Sequence, residues 1–151
     1  MSNQSRQNPW VLFVSFVSPH YPLTAPEPFY KLYEHSDQLG RPMHSSTNGY
    51  AQHPMLKEIR DFWKYDEFFT DELRIEARKN YFGLISFLDD NIRQVLRALE
   101  AHNSSRDTLI LYTSDHGEML GHLGFWAKSV MYEDSVGVPL IATGSGFKRQ
   151  R

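Results

Sequence analysis

The spacing of apolar positions changes several times along the chain, and each change predicts an element. Residues 10–17, Trp-Val-Leu-Phe-Val-Ser-Phe-Val, form a near-continuous apolar run between Pro9 and Pro19. Such a run, β-branched and aromatic, predicts a strand covered on both faces, as in a parallel sheet. Residues 19–28 contain four prolines, which predicts a stiff, non-helical loop. "PEPFYKLYEH" then predicts one or two helical turns with proline at the start and Phe29, Leu32 and Tyr33 on one side. Residues 34–66 are polar and punctuated by Gly40, Pro42, Gly49 and Pro54, which predicts an irregular insertion. From Asp71 onward Leu73, Ala77, Tyr81, Leu84, Leu88, Ile92, Val95 and Leu99 recur at intervals of three and four. That spacing predicts an amphipathic helix of about 30 residues, capped by Thr70 or Asp71 and ended by Asn103. "DTLILYTS" (107–114) predicts a second buried strand and "VPLIATGSG" (138–146) a third. A strand, a long helix and a second strand form a right-handed crossover. The expected fold class is therefore α/β, part of a mostly parallel sheet flanked by helices.

Composition narrows the function classes. The chain has 151 residues, 14% of them aromatic, enough for a packed core and a length fitting one domain or part of one. Its formal net charge of −2 offers no electrostatic footprint for nucleic acid. Cysteine is absent, which excludes disulfides, thiolate metal sites and a cysteine nucleophile within the chain. The polar leader "MSNQSRQN" before "WVLFVSFV" has the outline of a signal peptide, but no small-residue cleavage site follows, so a strand is expected there. No run approaches the roughly 20 apolar residues of a membrane span. No membrane association is expected, and a cytoplasmic location is favoured.

The chemistry concentrates after the second predicted strand. In open α/β sheets ligands bind at the carboxyl ends of strands, and Asp115, His116 and Glu118 fall at such an end. Asp supplies a hard oxygen and His an imidazole nitrogen, both metal ligands, while Gly117 lets the backbone turn beside them. The competing reading makes Asp115 a loop cap and His116 a partly buried structural residue. His20, in "SPHYP", lies at the end of the first predicted strand, where flanking prolines hold a rigid loop; a lone His there can equally be unremarkable. Lys128, in "GFWAKS", either snorkels or stacks on Trp126, or else directs its charge at an anionic ester. Glu133 is expected to be structural, and His35, His44, His53 and His102 solvated.

These ordered motifs, S-P-H-x-P, S-D-H-G-E, a G-x-W-x-K-like stretch, Y-E and V-P-L, strongly resemble the sulfatases of the alkaline-phosphatase superfamily. The resemblance covers most of residues 10–147 and is weakest over 34–69. It implies sulfuric ester hydrolysis, with a small sulfate ester as partner. By the same resemblance Asp115 and His116 bind a divalent cation, calcium first, with manganese or zinc as alternatives. His20 and Lys128 are then the catalytic, substrate-binding pair that contacts the ester and steadies the leaving oxygen. An alternative within the superfamily is a phosphonate or phosphodiester hydrolase, and a contrasting one is a non-catalytic, degenerate metal-binding remnant.

The departures from the pattern are equally specific. The family's nucleophile is a formylglycine made from the Cys or Ser of C/S-x-P-x-R; no such motif occurs here, so formylglycine is not encoded in this chain. The paired acidic ligands that precede it in the family are also missing. Gly121-His122-Leu123-Gly124 and Ala127 replace the usual G-D-H-G and W-G-K, and Gly137 stands where Arg is usual. The expectation is a partial sulfatase catalytic domain over 1–151, without the N-terminal nucleophile-bearing part and the C-terminal part. A missing N-terminal half or a second copy of the chain is the expected macromolecular partner.

Overall fold

A computed structural model describes residues 9–36, 39, 53–102, 104, 107–144 and 147. The elements in chain order are α1 (Glu27–Tyr30), α2 (Pro54–Trp63), α3 (Asp71–Ala101), β1 (Ile110–Thr113), α4 (Glu133–Val136) and β2 (Leu140–Thr143). Two short 3-10 turns, Tyr65–Phe68 and His122–Gly124, complete the set. No helix among the described residues is long and apolar enough to cross a membrane.

Helix α3 is the organising element. The Thr70 hydroxyl accepts from the Leu73 N–H, and Asp71 and Glu72 place negative charge in the first turn. His102 ends the helix; Asn103, expected there, lies outside the described residues. Of the predicted stripe, Ala77, Leu84 and Leu88 are buried, whereas Leu73 and Val95 remain exposed. Residues 25–35 are lashed along this face. The Ala25 N–H donates to Asn80 Oδ1 at 3.0 Å, Tyr33 and Ser86 share a hydroxyl contact at 2.8 Å, and Phe29 meets Phe87 edge-on at 5.3 Å. Gly83 makes this approach possible, since an added Cβ would lie 2.7 Å from Ala25 Cβ. The α1–α3 contact thereby fixes the proline-rich loop that carries His20.

The region expected to be irregular contains a helix. α2 begins with Pro54 at its first position, and the His53 side chain accepts from the Met55 N–H. Leu56 and Ile59 pack on a core formed by Met119, Leu123, Phe125 and Val130, with Met119 only 1% exposed. The Arg60 guanidinium lies over the Phe125 ring at 4.5 Å and donates to the Leu123 carbonyl at 3.0 Å. A Pro-initiated segment with apolar residues three apart was a legible helix signal, outweighed by the polar composition around it. The rest of the insertion, residues 40–52 with His44, lies outside the described residues.

The sheet differs most from expectation. β1 and β2 pair antiparallel, Ile110 opposite Thr143 and Thr113 opposite Leu140. Residues 10–17 form no helix or strand and have no ladder partner among the described residues. They are not buried either: Val11 is 98% and Phe13 88% exposed, and Leu12 and Val17 also face outward. The expected parallel pairing of 10–17 with 108–113 is thus absent among the described residues, and Leu111 and Leu140 on the observed ladder are exposed too. An apolar run specifies burial but cannot supply the neighbouring strands and covering helices that a doubly covered strand requires.

A buried ion pair joins α3 to the segments before and after it. Arg74, 8% exposed, contacts the Asp66 carboxylate at 3.0 Å and Asp71 at 3.2 Å. Asp66→Ala leaves that guanidinium desolvated with the exposed Asp71 carboxylate and the residue-66 carbonyl as its described partners. The expected loss is about 2–3 kcal/mol, read as a lowered urea midpoint. Asp66→Asn, which keeps an acceptor, should cost less.

Candidate active site

β1 ends at Thr113, and the chain turns through Ser114–Gly117 onto α4. The Ser114 hydroxyl donates to the His116 carbonyl at 2.9 Å, and the Gly117 N–H to the Ser135 carbonyl at 2.8 Å. Gly117 lies so close to α4 that a Cβ there would overlap the Asp134 carbonyl oxygen. This seam sets the direction of the two residues before it. His116 Nδ1 lies 2.8 Å from the Gly117 carbonyl. A carbonyl only accepts, so Nδ1 carries the proton and Nε2 presents its lone pair. Nε2 is 3.7 Å from Asp115 Oδ2, so imidazole and carboxylate face the same space. The Asp115 side chain is 89% exposed. Its carboxyl is held below the usual carboxylate range, first by hydrogen bonding to its own backbone N–H, with His116 and Lys128 adding to the effect.

His20 reaches the same place from the other end of the chain. Its Nδ1 bonds the Tyr21 carbonyl at 2.9 Å, which by the same reasoning leaves Nε2 as acceptor. Lys128 Nζ lies 2.9 Å from that Nε2, across 108 residues of sequence. The His20 and His116 rings meet edge-on at 5.8 Å between centroids. His20, His116, Asp115 and Lys128 therefore form one cluster, brought together without a parallel strand over 10–17. The lysine does not stack on Trp126. That indole stacks on Phe69 at 3.9 Å and 12°, and donates from Nε1 to Asp66 Oδ1 at 3.1 Å. The loop before Lys128 is thus anchored to the start of α3.

One residue of the S-D-H-G-E motif has a role that spacing did not reveal. Glu118 Oε1 accepts both the Leu120 N–H at 3.0 Å and the Ala127 N–H at 2.6 Å. Its only signal in the sequence was an acid leading into an apolar stretch. Glu133 is exposed, and its backbone carbonyl accepts the Gly137 N–H, in keeping with a structural part. His122 pairs through Nδ1 with the Asp134 carboxylate, while His35 is exposed and His53 caps α2.

The Asp115 carboxylate and the His116 Nε2 lone pair, donor types that suit a divalent cation, converge here. Among the described residues, however, no group of three or more His, Asp or Glu is arranged to hold a metal. Asp115 and His116 are thus two donors of types that suit a divalent cation, too few to close a coordination sphere.

A family model described as Sulfatase matches residues 1–151. The chain belongs to the sulfatase family. It is 36% identical over 147 residues to a choline-sulfatase of Rhizobium meliloti, covering 97% of this chain and 28% of the relative. Among solved structures it is similar to the phosphonate monoester hydrolase of Silicibacter pomeroyi, with TM-score 0.71 and 31% identity over 86% of this chain and 28% of that one. The phosphonate monoester hydrolase of Agrobacterium radiobacter gives TM-score 0.72 and 27% identity, covering 93% and 30%. The chain is thus similar to a part of alkaline-phosphatase-superfamily hydrolases and spans less than a third of the length of these proteins.

Proposed function

We propose that this chain supplies the leaving-group side, and two metal ligands, of a site that hydrolyses sulfate esters. The observation that carries the reading is the 2.9 Å contact between Lys128 Nζ and His20 Nε2, beside the Asp115–His116 pair. Hydrolysis breaks the S–O bond to the alcohol. Water's oxygen ends on sulfur as sulfate, and a proton must reach the alkoxide. The Lys128 ammonium donates to His20 Nε2; facing an ester it would offset the charge developing on the leaving oxygen and, as the S–O bond breaks, give that oxygen a proton and become the neutral amine, with His20 holding it in position. Asp115 and His116 Nε2 would hold a divalent cation, calcium first, which when bound polarises an ester oxygen. The attacking group and the remaining cation ligands belong to the part of the family domain that this chain does not contain. That part is also the proposed partner for the open edges at 10–17 and β1, completing a mostly parallel sheet, and the chain is read as a partial domain.

A second reading, a phosphonate or phosphodiester hydrolase of the same superfamily, is favoured by one observation: the two solved structures above are phosphonate monoester hydrolases. Both readings are tested by competitive acetylation of the lysines at micromolar protein. An aryl sulfate should slow modification of Lys128 relative to Lys57, and His20→Ala should remove that protection. Stronger protection by an arylphosphonate monoester would favour the second reading. No protection by either anion would discard both.

The cation is tested separately. With two protein ligands, calcium should bind weakly, with a dissociation constant on the order of a millimolar, and Asp115→Ala should abolish the calorimetric signal. Unchanged binding in that variant would place the cation elsewhere.

A further inference from the structure

We infer that Glu118 is a positioning residue for Lys128, its carboxylate acting as a clamp across the loop that aims the ammonium at His20. The inference rests on the reading of His20 and Lys128 just given and assigns a task to a side chain that reading does not use.

The loop from Met119 to Lys128 leaves the core and returns to it. It does so through Leu120, Leu123 and Ala127, all at positive φ (47°, 54° and 60°) without being glycine. Left-handed backbone is disfavoured for residues with a Cβ, so something must hold it. Backbone bonds contribute part of the restraint: the Met119 N–H donates to the Ala127 carbonyl, and the Gly121 N–H to the Phe125 carbonyl, both at 2.9 Å. At two of the three strained positions the N–H turns inward, and a single oxygen, Glu118 Oε1, accepts both, at 3.0 Å from Leu120 and 2.6 Å from Ala127. Ala127 immediately precedes Lys128. Releasing its N–H unpins the 126–127 peptide plane at the strained Ala127 and leaves the Met119 N–H bond to the Ala127 carbonyl to hold the next plane, which leads into Lys128. The other side of the loop is held at Trp126, by Asp66 and Phe69. Glu118 itself follows the Asp115–His116 pair by two residues, so the clamp ties the lysine to the segment bearing the metal-type ligands. Half-buried Tyr81 lies near the same carboxylate: desolvation, with the Glu118 charge adding to it, raises its hydroxyl above the ordinary tyrosine range.

The clamp needs an acceptor oxygen at the right reach, and charge is secondary. This makes a conservative rescue available. Competitive acetylation of the full 151-residue chain, followed by mass spectrometry, reads the freedom of Lys128, with Lys79 as a folding reference because it donates to the Glu34 carbonyl. Glu118→Ala should raise the Lys128 rate by about fivefold, the scale of one lost hydrogen bond, and leave Lys79 unchanged. Glu118→Gln, which keeps Oε1, should retain the wild-type rate. Adding Ala127→Gly to Glu118→Ala should move Lys128 no further, since glycine accepts that φ unaided. Should Glu118→Ala release Lys79 as well, Glu118→Asp is read in its place, being one methylene too short to reach both N–H groups.

His20→Ala separates the two ideas. If it raises the Lys128 rate while neither Glu118→Ala nor Glu118→Asp does, the clamp is wrong and the His20–Lys128 reading stands. If His20→Ala itself leaves Lys128 unchanged, the contact on which both depend is absent.

Discussion

An aryl sulfate incubated with the 151-residue chain should release sulfate no faster than buffer containing the same divalent cation. Covalent catalysis depends on an activated nucleophile, and in sites whose groups act as a unit its removal costs about six orders of magnitude in rate. The chain contains no cysteine and no serine in C/S-x-P-x-R context, so no residue is available to become the family's formylglycine. In the proposed site, Lys128 and His20 would ease departure of the alcohol only when something attacks sulfur. The exposed apolar run at 10–17 adds a practical expectation. With Val11 and Phe13 bared and no ladder partner among the described residues, the chain should be poorly soluble alone and should associate through these edges. Supplying a separately expressed N-terminal part that carries the missing motif should raise both solubility and turnover. Lys128→Ala should then lower the restored rate by about 100- to 1,000-fold, as for loss of one oxyanion-stabilising group. Turnover by the chain alone, abolished by Lys128→Ala, would overturn this expectation.

Gly117→Ala should be among the most damaging single substitutions in the described structure. The glycine's Cα lies against the backbone of α4, and an added methyl would occupy the space of the Asp134 carbonyl oxygen. Neither neighbour can give way alone. The Gly117 N–H donates to Ser135, and Ser135 is itself buried. Separating the two backbones breaks that bond and disturbs the core of Met119, Phe125 and Val130 just beyond. Overpacking against backbone, with loss of a buried hydrogen bond, should cost about 3 kcal/mol or more, seen as a large fall in the denaturation midpoint. Because Gly117 also supplies the carbonyl that fixes the His116 tautomer, the variant should lose calcium binding. A midpoint within error of wild type would show that α4 is not seated as described.

Much of the candidate site was legible because motif residues report chemistry directly. Asp115 and His116 stand where an apolar run breaks, and His20 and Lys128 sit in stretches whose order matches a family pattern. The long helix was equally legible, since a three-and-four repeat sustained over eight apolar positions has few other meanings. Helix α2 was missed because its Pro start and its Leu56–Ile59 pair are short signals within a polar region. Glu118 could not be distinguished from a ligand, because an acid beside Asp-His-Gly looks the same whether it faces a cation or two backbone N–H groups.

The amino-acid sequence by itself determined the family and the element types at α3, β1 and β2, and singled out the candidate site residues, because periodicity and motif order are properties of the chain. Only the tertiary structure decided who meets whom. It placed Lys128 on His20 rather than on Trp126, gave Trp126 to Phe69 and Asp66, and turned β2 antiparallel to β1. It also left residues 10–17 exposed, although their composition calls for burial. The physical reason is that hydrophobicity and hydrogen-bonding capacity state only what a segment requires. Which surface or atom meets that requirement depends on partners distant in sequence, and for residues 10–17 no such partner lies among the described residues.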